Sequence, residues 1–382
     1  MDEMIYFLIQ TIQFLIYFPA ILVACSYFCL IFWFYYGWVK TPVYKPKNKL
    51  KRPRISVIVA FRDEVKSIQN LIHDLESQIY PADYEVILVD DNSSDGSFEL
   101  VDPLVKQNPF FKLIRSQGVG KKKALSEGIG MSSGELIITT DADCRMEANW
   151  LEIIASFYVE NISDMILGPV LPTKSYGFLS NLIALEYFSL VGSTAGAAGV
   201  KHPIMSNGAN MAFHSENNIL DSNQDHVDTP SGDDLFQMLN LKKIEKAKIN
   251  FLKSSNAAVS TYMPSNLSEL WHQRIRWVSK SKYYNDFDII ASALIVWLMG
   301  LIMTISLIGG IFHPTLFIIF LFLFIVKSIP DYLLLLQVLK FFKRQELIRY
   351  FIPLQFIYPL YVTLTGIFGL IFVKFRWKNR KY

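Results

Sequence analysis

The sequence predicts an α/β domain with a mostly parallel sheet, preceded by one membrane-spanning helix and followed by about three more. Composition is the first reason: 52% of the 382 residues are hydrophobic and 19% are charged, which is too apolar for a wholly soluble protein of this length. The longest apolar runs lie towards the two ends of the chain. The middle alternates short apolar runs with helical patterns, as a parallel sheet with crossover helices requires.

Four apolar runs predict the membrane-spanning helices, because about 20 apolar residues suffice to cross a bilayer. The runs are Met4–Trp38, Ile289–Phe312, Thr315–Leu339 and Phe351–Val373. The first run is longer than the core of a signal peptide, which has about 7–15 residues and follows a basic stretch. Acidic residues precede it here, so we interpret it as a transmembrane anchor.

A basic segment follows the anchor. Residues 40–54 contain lysines, arginines and three prolines, but no acidic residue. Loops rich in lysine and arginine stay on the cytoplasmic side of a membrane. The sequence therefore predicts that this linker, and the domain after it, face the cytosol.

The central domain begins with Ile55–Phe61, a continuous apolar run typical of a buried strand. The runs Glu85–Val89 and Leu136–Thr140 predict two more strands. Apolar residues recur at helical spacing over 65–79 and over 98–105. Alternation of strands and helices predicts a parallel sheet with right-handed crossovers.

These patterns divide the chain into six segments. We predict an anchor at 1–39, a basic linker at 40–54, an α/β domain at 55–262, an amphipathic interfacial helix at 263–286, membrane segments at 287–374 and a basic tail at 375–382.

Paired acids follow two of the predicted strands. Asp90 and Asp91 end one strand, and Asp141 and Asp143 follow another. Ligands of open parallel sheets bind beyond the carboxyl ends of the strands, so we expect these side chains at one site. Clustered carboxylates repel one another unless a cation neutralises them, and a divalent cation would also attract a diphosphate. For residues 90–96 alone, a turn rich in Asp and Asn is the alternative.

Two further motifs place charged side chains before predicted helices. Gly120 and Lys121 open a lysine-rich turn that could neutralise a phosphate, although a solvated turn is the alternative. Asp233 and Asp234 precede another helical pattern. Asp234 could act as a general base towards a hydroxyl group, or it could simply cap the helix.

The segment 263–286 is predicted to form an amphipathic helix beside the membrane. Asn266 and Glu269 have the spacing of a capping box, which marks the start of a helix. The sequence Gln273–Trp277 lies in the middle of this helix. A helix of this type can lie along a membrane interface without any catalytic role, so this motif alone assigns no function.

Other features narrow the classes of function. The net charge of +3 gives no indication of nucleic-acid binding. Three cysteines cannot form a disulfide framework, and we interpret them as structural. The six histidines do not show the spacing of a metal-binding motif.

Taken in order, the motifs resemble those of family 2 glycosyltransferases, which have the Rossmann-like GT-A fold. The resemblance is to the membrane-integral branch that includes ceramide glucosyltransferase, hyaluronan synthase and cellulose-synthase-like enzymes. The matching sequences are ISVIVAFRDE, VDDNSSDGS, GKKKALSEGI, DAD, SNGANMAF, SGDD and QRIRW, within about residues 53–282. Each motif alone is weak evidence, whereas seven in the same order are specific.

The resemblance implies a role for each motif residue. Asp143 would bind a divalent cation, Mg²⁺ or Mn²⁺, and Asp234 would be the catalytic base. The expected donor-binding residues are Asp91 at the nucleotide base, Lys121, Asp141, Gln273, Arg276 and Trp277. Further residues expected in the pocket are Asp90, Asn210 and Asp233.

The resemblance implies an inverting transfer from a nucleotide-sugar donor, expected to be UDP-linked. The helix with Gln273–Trp277 beside the membrane predicts a membrane lipid, or a lipid-linked or glycan molecule, as the acceptor. The resemblance further implies a membrane protein whose catalytic domain faces the cytosol, expected at a bacterial inner membrane, and no nucleic-acid partner. A processive polysaccharide synthase is the first alternative, because it shares these motifs. A nucleotidyltransferase would not explain Gln273–Trp277 beside a membrane segment, and a non-catalytic scaffold or transport subunit would not need three intact acidic motifs.

The predicted topology contains one conflict. A cytosolic domain followed by three spans leaves the carboxyl terminus outside, whereas the basic residues after 373 favour the inside. A re-entrant apolar stretch would resolve this conflict. Two short helices in place of the span that contains Lys327 and Asp331 would resolve it as well.

Overall fold

The structure, a computed structural model, describes residues 2–47, 51–174, 176–218, 233–371, 376–377 and 380–381. The side chains of residues 2–16, of Asp233 and of residues beyond 371 lie outside this description, as do Ser231 and Gly232 of the SGDD motif and the predicted end of the last span at Val373.

A seven-stranded sheet forms the centre of the domain. The described part of the domain has nine strands, of which seven form this sheet. The nine strands are β1 (Ile55–Phe61), β2 (Tyr84–Asp90), β3 (Phe111–Arg115), β4 (Leu136–Thr139), β5 (Met165–Leu167), β6 (Val170–Pro172), β7 (Met211–His214), β8 (Ile249–Phe251) and β9 (Val259–Thr261). The order in the sheet is β3-β2-β1-β4-β7-β5-β8, and β7 alone runs antiparallel to its neighbours. The prediction of a mostly parallel sheet is confirmed. Strands β6 and β9 form a separate parallel pair.

Eleven α-helices accompany these strands in the described part of the chain. They are α1 (Asp2–Lys40), α2 (Ile68–Glu76), α3 (Ser97–Lys106), α4 (Lys121–Gly130), α5 (Trp150–Asn161), α6 (Phe178–Gly199), α7 (Asp233–Lys242), α8 (Leu267–Val278), α9 (Phe287–Gly309), α10 (Pro314–Phe341) and α11 (Phe351–Ile371). The backbone after α11 forms a short antiparallel pair, Arg376–Trp377 with Arg380–Lys381.

The sheet is the core of the domain because helices cover it. All seven residues of β1 are buried, as expected for a strand with helices on both faces. Helix α4 approaches closely because Gly128 has no side chain. A Cβ atom at Gly128 would lie 2.7 Å from a methyl carbon of Ile58 and 2.9 Å from one of Val89. The predicted helical pattern at 65–79 corresponds to α2, whose apolar face is buried.

Three parallel strands end at the same edge of this sheet. Strands β1 and β2 end together, since Phe61 pairs with Asp90. Strand β4 ends beside them, because Thr139 pairs with Ile58 of β1. The acidic segments that leave these strands therefore meet over one edge, as the sequence predicted.

Among the described residues, five helices are long and apolar enough to cross a membrane. They are Tyr17–Lys40 within α1, then α6, α9, α10 and the segment Gln345–Ile371 that contains α11. The predicted anchor and the three predicted carboxyl-terminal spans are among them. Helix α6 was not predicted from the sequence, because its mean hydropathy of 1.2 is the lowest of the five. It is also the most buried of the five within the protein.

Helix α6 packs against the end of α1 through glycines. An ideal Cβ atom on Gly37 would lie 2.0 Å from the carbonyl oxygen of Gly196, and one on Gly199 would lie 2.3 Å from the carbonyl oxygen of Gly37. Only residues without side chains permit such an approach of two backbones. The predicted anchor is thus in direct contact with α6, a helix that lies between β6 and β7 in the chain.

A buried lysine reinforces this junction. The Nζ atom of Lys253 donates hydrogen bonds to the carbonyl oxygens of Trp38 at 2.6 Å and Thr41 at 3.1 Å, and it lies 4.2 Å from the centre of the Trp38 ring. A cation at the carboxyl end of a helix is favourable, because carbonyl groups there lack helical partners. Burial lowers the pKa of Lys253 to about 8.

Helix α11 begins beside the start of α6 and ends beside α8. The rings of Tyr350, just before α11, and Phe178 of α6 are 5.7 Å apart. Near its other end, the rings of Phe368 and Trp271 of α8 are 5.6 Å apart. Helix α10 is continuous, and Lys327 and Asp331 form an ion pair of 2.6 Å within it. The alternative of two short helices around this pair is therefore wrong.

Replacing Gly196 with alanine should loosen the contact between α6 and α1. The added methyl group would lie 2.2 Å from the backbone oxygen of Phe34, so one of the helices must shift. Overpacking of this kind costs about 1–3 kcal/mol, and we expect a lower midpoint of thermal unfolding for the purified protein in detergent. Gly130→Ala is the matched control, because its methyl group would have no neighbour within 4 Å. Equal midpoints for the two variants would contradict the tight contact.

Candidate active site

The segments that follow β1, β2 and β4 assemble a cluster of charged side chains. Lys121, at the start of α4, forms an ion pair with Asp141 after β4. Asp143 lies close enough to Asp141 and Glu64 for both carboxylates to affect its ionisation. The structure thus brings together the DAD motif, the lysine-rich turn and the acid that follows β1.

Asp143 is largely buried within this cluster. Burial, together with the nearby carboxylates of Asp141 and Glu64, raises the pKa of Asp143 to about 6. A hydrogen bond of 3.1 Å from the hydroxyl group of Thr261 acts in the opposite direction, as does the charge of Lys121. The site therefore holds more negative charge than its own cations neutralise.

A divalent cation fits this surplus of negative charge. Within the described ranges, no group of three or more His, Cys, Asp or Glu side chains is placed to enclose a metal ion by itself. Mg²⁺ rarely needs such a cage, because it commonly takes one or two carboxylates and completes its shell with water and substrate phosphates. Asp141 and Asp143 offer the oxygen ligands of such an open site.

The acids after β2 have different surroundings. Asp91 is buried, and its Oδ1 atom accepts a hydrogen bond of 2.8 Å from the backbone N–H of Gly120. This bond joins the end of β2 to the turn that carries Lys121. Asp90, the last residue of β2, accepts a hydrogen bond of 3.0 Å from the backbone N–H of Ser93, so it stabilises the turn that follows the strand.

Asp234 lies in the first turn of α7 and holds a second loop in place. Its Oδ2 atom accepts a hydrogen bond of 3.0 Å from the backbone N–H of Gly208, within the SNGANMAF motif. Its Oδ1 atom accepts from the backbone N–H of Leu235 at 2.8 Å. Asp234 also raises the pKa of Tyr284, after the larger effect of burial. The backbone of Asp233 begins the same helix.

Helix α8 contributes a cation to the same cluster. It begins as predicted, because the side chain of Asn266 accepts a hydrogen bond of 2.9 Å from the backbone N–H of Glu269. Arg276, in its last turn, interacts electrostatically with both Asp141 and Asp234. Burial lowers the pKa of Arg276, and these two carboxylates raise it. The charges of the DAD motif and of Asp234, the expected base, therefore act on the same arginine.

Gln273 and Trp277, the two other predicted site residues in the QRIRW motif, contact Arg274. The Nη1 atom of Arg274 donates a hydrogen bond of 3.2 Å to the side-chain oxygen of Gln273. The guanidinium carbon lies 4.1 Å from the centre of the Trp277 ring. Sequence analysis gave no role to Arg274, although it lies within the motif.

Asn210 is buried and has a full set of hydrogen bonds within the protein. It accepts from the indole N–H of Trp150 at 3.1 Å and donates to the carbonyl oxygens of Pro169 and Ala257. The described contacts give Asn210 a structural task, and its predicted place in the pocket stays a prediction.

Comparison with known families decides the identity. The model of Glycosyl transferase family group 2 matches residues 136–367, more than half of the chain, and the model of Glycosyl transferase family 2 matches residues 56–200. The chain belongs to the family 2 glycosyltransferases. The predicted family is thus confirmed.

Three curated relatives illustrate the range of this family. The glycosyltransferase is 28% identical over 30% of its length to a cholesterol galactosyltransferase of Borreliella burgdorferi, and the match covers 31% of that relative. It is 25% identical over 59% of its length to a β-monoglucosyldiacylglycerol synthase of Synechocystis, covering 47% of it. It is 23% identical over 69% of its length to a poly-β-1,6-N-acetyl-D-glucosamine synthase of Staphylococcus epidermidis, covering 64%. These matches therefore span about a third to two thirds of the relatives.

A solved structure supports the fold of the glycosyltransferase. The mannosyltransferase PcManGT of Pyrobaculum calidifontis, in complex with GDP-Man and Mn²⁺, aligns with 92% of this chain at a TM-score of 0.55. The alignment covers 99% of that structure at 18% sequence identity. This structural similarity confirms the predicted GT-A fold.

Sequence analysis missed several residues of the site of this glycosyltransferase. Glu64 could have been found, because it follows β1 in the way that the predicted acids follow β2 and β4. Thr261 follows a strand of only three residues, which leaves little pattern in the sequence. Glu186 lies in an apolar helix and pairs with an arginine 88 residues away.

Proposed function

We propose that this enzyme transfers a sugar, with inversion, from a nucleotide-sugar donor to the hydroxyl group of a membrane lipid at the cytosolic surface. The observation that carries the proposal is that Arg276 lies close enough to both Asp141 and Asp234 for their charges to act on it, on a helix packed against a candidate membrane span. Groups suited to bind a diphosphate and a group suited to accept a proton are thus neighbours beside the membrane.

The donor would lie with its diphosphate between Lys121, Arg276 and the acids of the DAD motif. Charge builds on the diphosphate as the bond to the sugar breaks, and preorganised cations stabilise that charge. A divalent cation held by Asp141 and Asp143 would supply further neutralisation of the leaving group. Asp91 would contact the nucleotide base from the end of β2, as the family resemblance implies. The UDP-linked donor likewise rests on that resemblance.

Asp234 would act as the base on the acceptor side. Its carboxylate accepts backbone hydrogen bonds from Gly208 and Leu235, which fix its orientation. Removal of the proton from an acceptor hydroxyl makes its oxygen a better nucleophile as it attacks the anomeric carbon. A single displacement of this kind inverts that carbon.

A lipid acceptor is favoured by the membrane segments. Lys327 is buried and is bound by Asp331 and by Gln355 at 2.7 Å, so this intramembrane charge is satisfied inside the protein. A polymer would instead need a hydrophilic conduit. The names of two of the relatives contain a lipid, cholesterol in one and a glycosylated diacylglycerol in the other.

A processive polysaccharide synthase is the second candidate. The observation in its favour is the match to poly-β-1,6-N-acetyl-D-glucosamine synthase, which covers 69% of this chain. The shared motifs suit both activities, so the product distinguishes them.

The proposed orientation places the catalytic domain in the cytosol, at a bacterial inner membrane. The basic linker after α1 supports this orientation. The contacts of both ends of α11 with the catalytic side support a carboxyl terminus on that same side.

Asp143→Asn should abolish turnover, because turnover is expected to depend on a divalent cation that Asp143 binds. Loss of a charged oxygen ligand should lower activity by more than about 100-fold, since even indirect partners of a metal contribute 10–100-fold. Hydrolysis of a panel of nucleotide sugars, with and without chelator, measures this effect. Asp102→Asn, at the surface in α3, is the control and should keep wild-type activity. Full activity of the wild type in excess chelator would exclude the metal.

Asp234→Asn should separate binding from transfer. The amide can still accept the bond from Gly208, so the loop should remain in place while the base is lost. We expect transfer to fall about 10²–10⁴-fold, the usual contribution of a general base. Nucleotide affinity, measured by titration calorimetry, should stay near that of the wild type. A parallel loss of affinity would instead make Asp234 a donor-binding residue.

The acceptor can be identified from the product. Membranes that contain the enzyme are incubated with a labelled nucleotide sugar, and the product is extracted into organic solvent. Label in the organic phase as a short glycolipid is the expected result. Label in a water-soluble chain of high molecular weight would establish the polysaccharide synthase instead. Membranes that contain Asp234→Asn serve as the background control.

A further inference from the structure

A buried ion pair connects α6 to α8, next to the active site. Glu186 of α6 and Arg274 of α8 are 7% and 5% exposed and contact each other directly. Neither residue has a part in the reaction proposed above. Removal of two charges from water is costly, so a buried pair with no other task adds little to stability.

The surroundings of Arg274 indicate a task. Its Nε atom donates a hydrogen bond of 2.6 Å to the hydroxyl oxygen of Tyr361 in α11. Its Nη1 atom donates to Gln273, and its guanidinium carbon lies 4.1 Å from the centre of the Trp277 ring. One guanidinium group therefore joins two membrane-associated helices to two of the motif residues.

The shape of the guanidinium group matters for this arrangement. Arginine offers five donors in a rigid plane, whereas lysine offers a compact charge that cannot stack in the same way. Glu186 fixes the plane from one side and Tyr361 from another. The carboxylate of Glu186 thus contacts the same guanidinium group that contacts the ring of Trp277 and the amide of Gln273.

We propose that Glu186 is a positioning residue that acts through Arg274 on Gln273 and Trp277. It keeps the part of α8 that faces the donor in its reactive arrangement and ties that arrangement to α6 and α11. This inference rests on the proposed transfer from a nucleotide sugar.

Four variants of the full-length protein in membranes test the inference: Glu186→Gln, Arg274→Met, Arg274→Lys and the double variant Glu186→Gln/Arg274→Met. We measure kcat, the KM for the nucleotide sugar, the affinity for the nucleotide and the midpoint of thermal unfolding. Misplacement of a group by about 1 Å can cost up to 10²-fold in rate. We expect each single change to lower kcat by about tenfold or more, Arg274→Lys least, while the affinity for the nucleotide changes by less than about threefold.

The double variant separates positioning from stability. Replacement of a buried ion pair by neutral side chains often restores stability. We therefore expect the midpoint of thermal unfolding to recover in the double variant while kcat stays low. Recovery of kcat together with the midpoint would overturn the proposal and leave the pair a purely structural contact.

A control breaks a comparable pair far from α8. Glu152→Gln removes the partner of Arg52, where the side chains are 20% and 14% exposed. This change should lower the midpoint of unfolding without lowering kcat. If Glu186→Gln behaves in the same way, Glu186 does not position the site. If the wild-type protein turns over no nucleotide sugar, the proposed function itself is contradicted. If the wild type and Glu186→Gln turn over the nucleotide sugar equally, only the positioning role is contradicted.

Discussion

Repulsion between carboxylates at one edge of the sheet is the constraint on which the site depends. Parallel strands that end together bring Glu64, Asp141 and Asp143 close to one another, and burial makes their charges more costly. The chain offsets this cost in part with Lys121 from α4 and Arg276 from α8. The remaining negative charge attracts cations and, through them, the phosphates of a donor. Binding is thus favoured by the same charges that repel one another at this edge of the sheet.

The parts of this arrangement that could be predicted are those with a local signal. Strands β1, β2 and β4 are continuous apolar runs, because both faces of a parallel sheet are covered, and acids at their ends are visible in the sequence. Helix α6 gave no such local signal in the sequence, because its glycines and Glu186 lower its hydropathy below that of the other four candidate spans. The pair of Glu186 with Arg274 depends on a fold that brings distant segments together. Asn210 shows a further limit, because a sequence motif does not reveal whether an amide faces a ligand or the protein interior.

Contacts between the membrane helices and the catalytic domain are as specific as those inside the domain. Arg274 joins α8 to α6 and α11, and Lys253 joins the loop after β8 to the end of α1. Glycines at the crossing of α1 and α6 leave no room for a side chain between the two backbones. The basic linker is therefore not the sole connection between the anchor and the sheet.

This attachment has a consequence for the choice of acceptor. Because α1 is held by close backbone contacts with α6 and by the hydrogen bonds of Lys253, a domain anchored through α1 in a membrane would stand at a nearly constant height above the bilayer. A hydroxyl group must stand at that height to meet the proposed base. Lipids would then be sorted by how far their head groups reach from the membrane surface, in addition to the identity of the groups themselves.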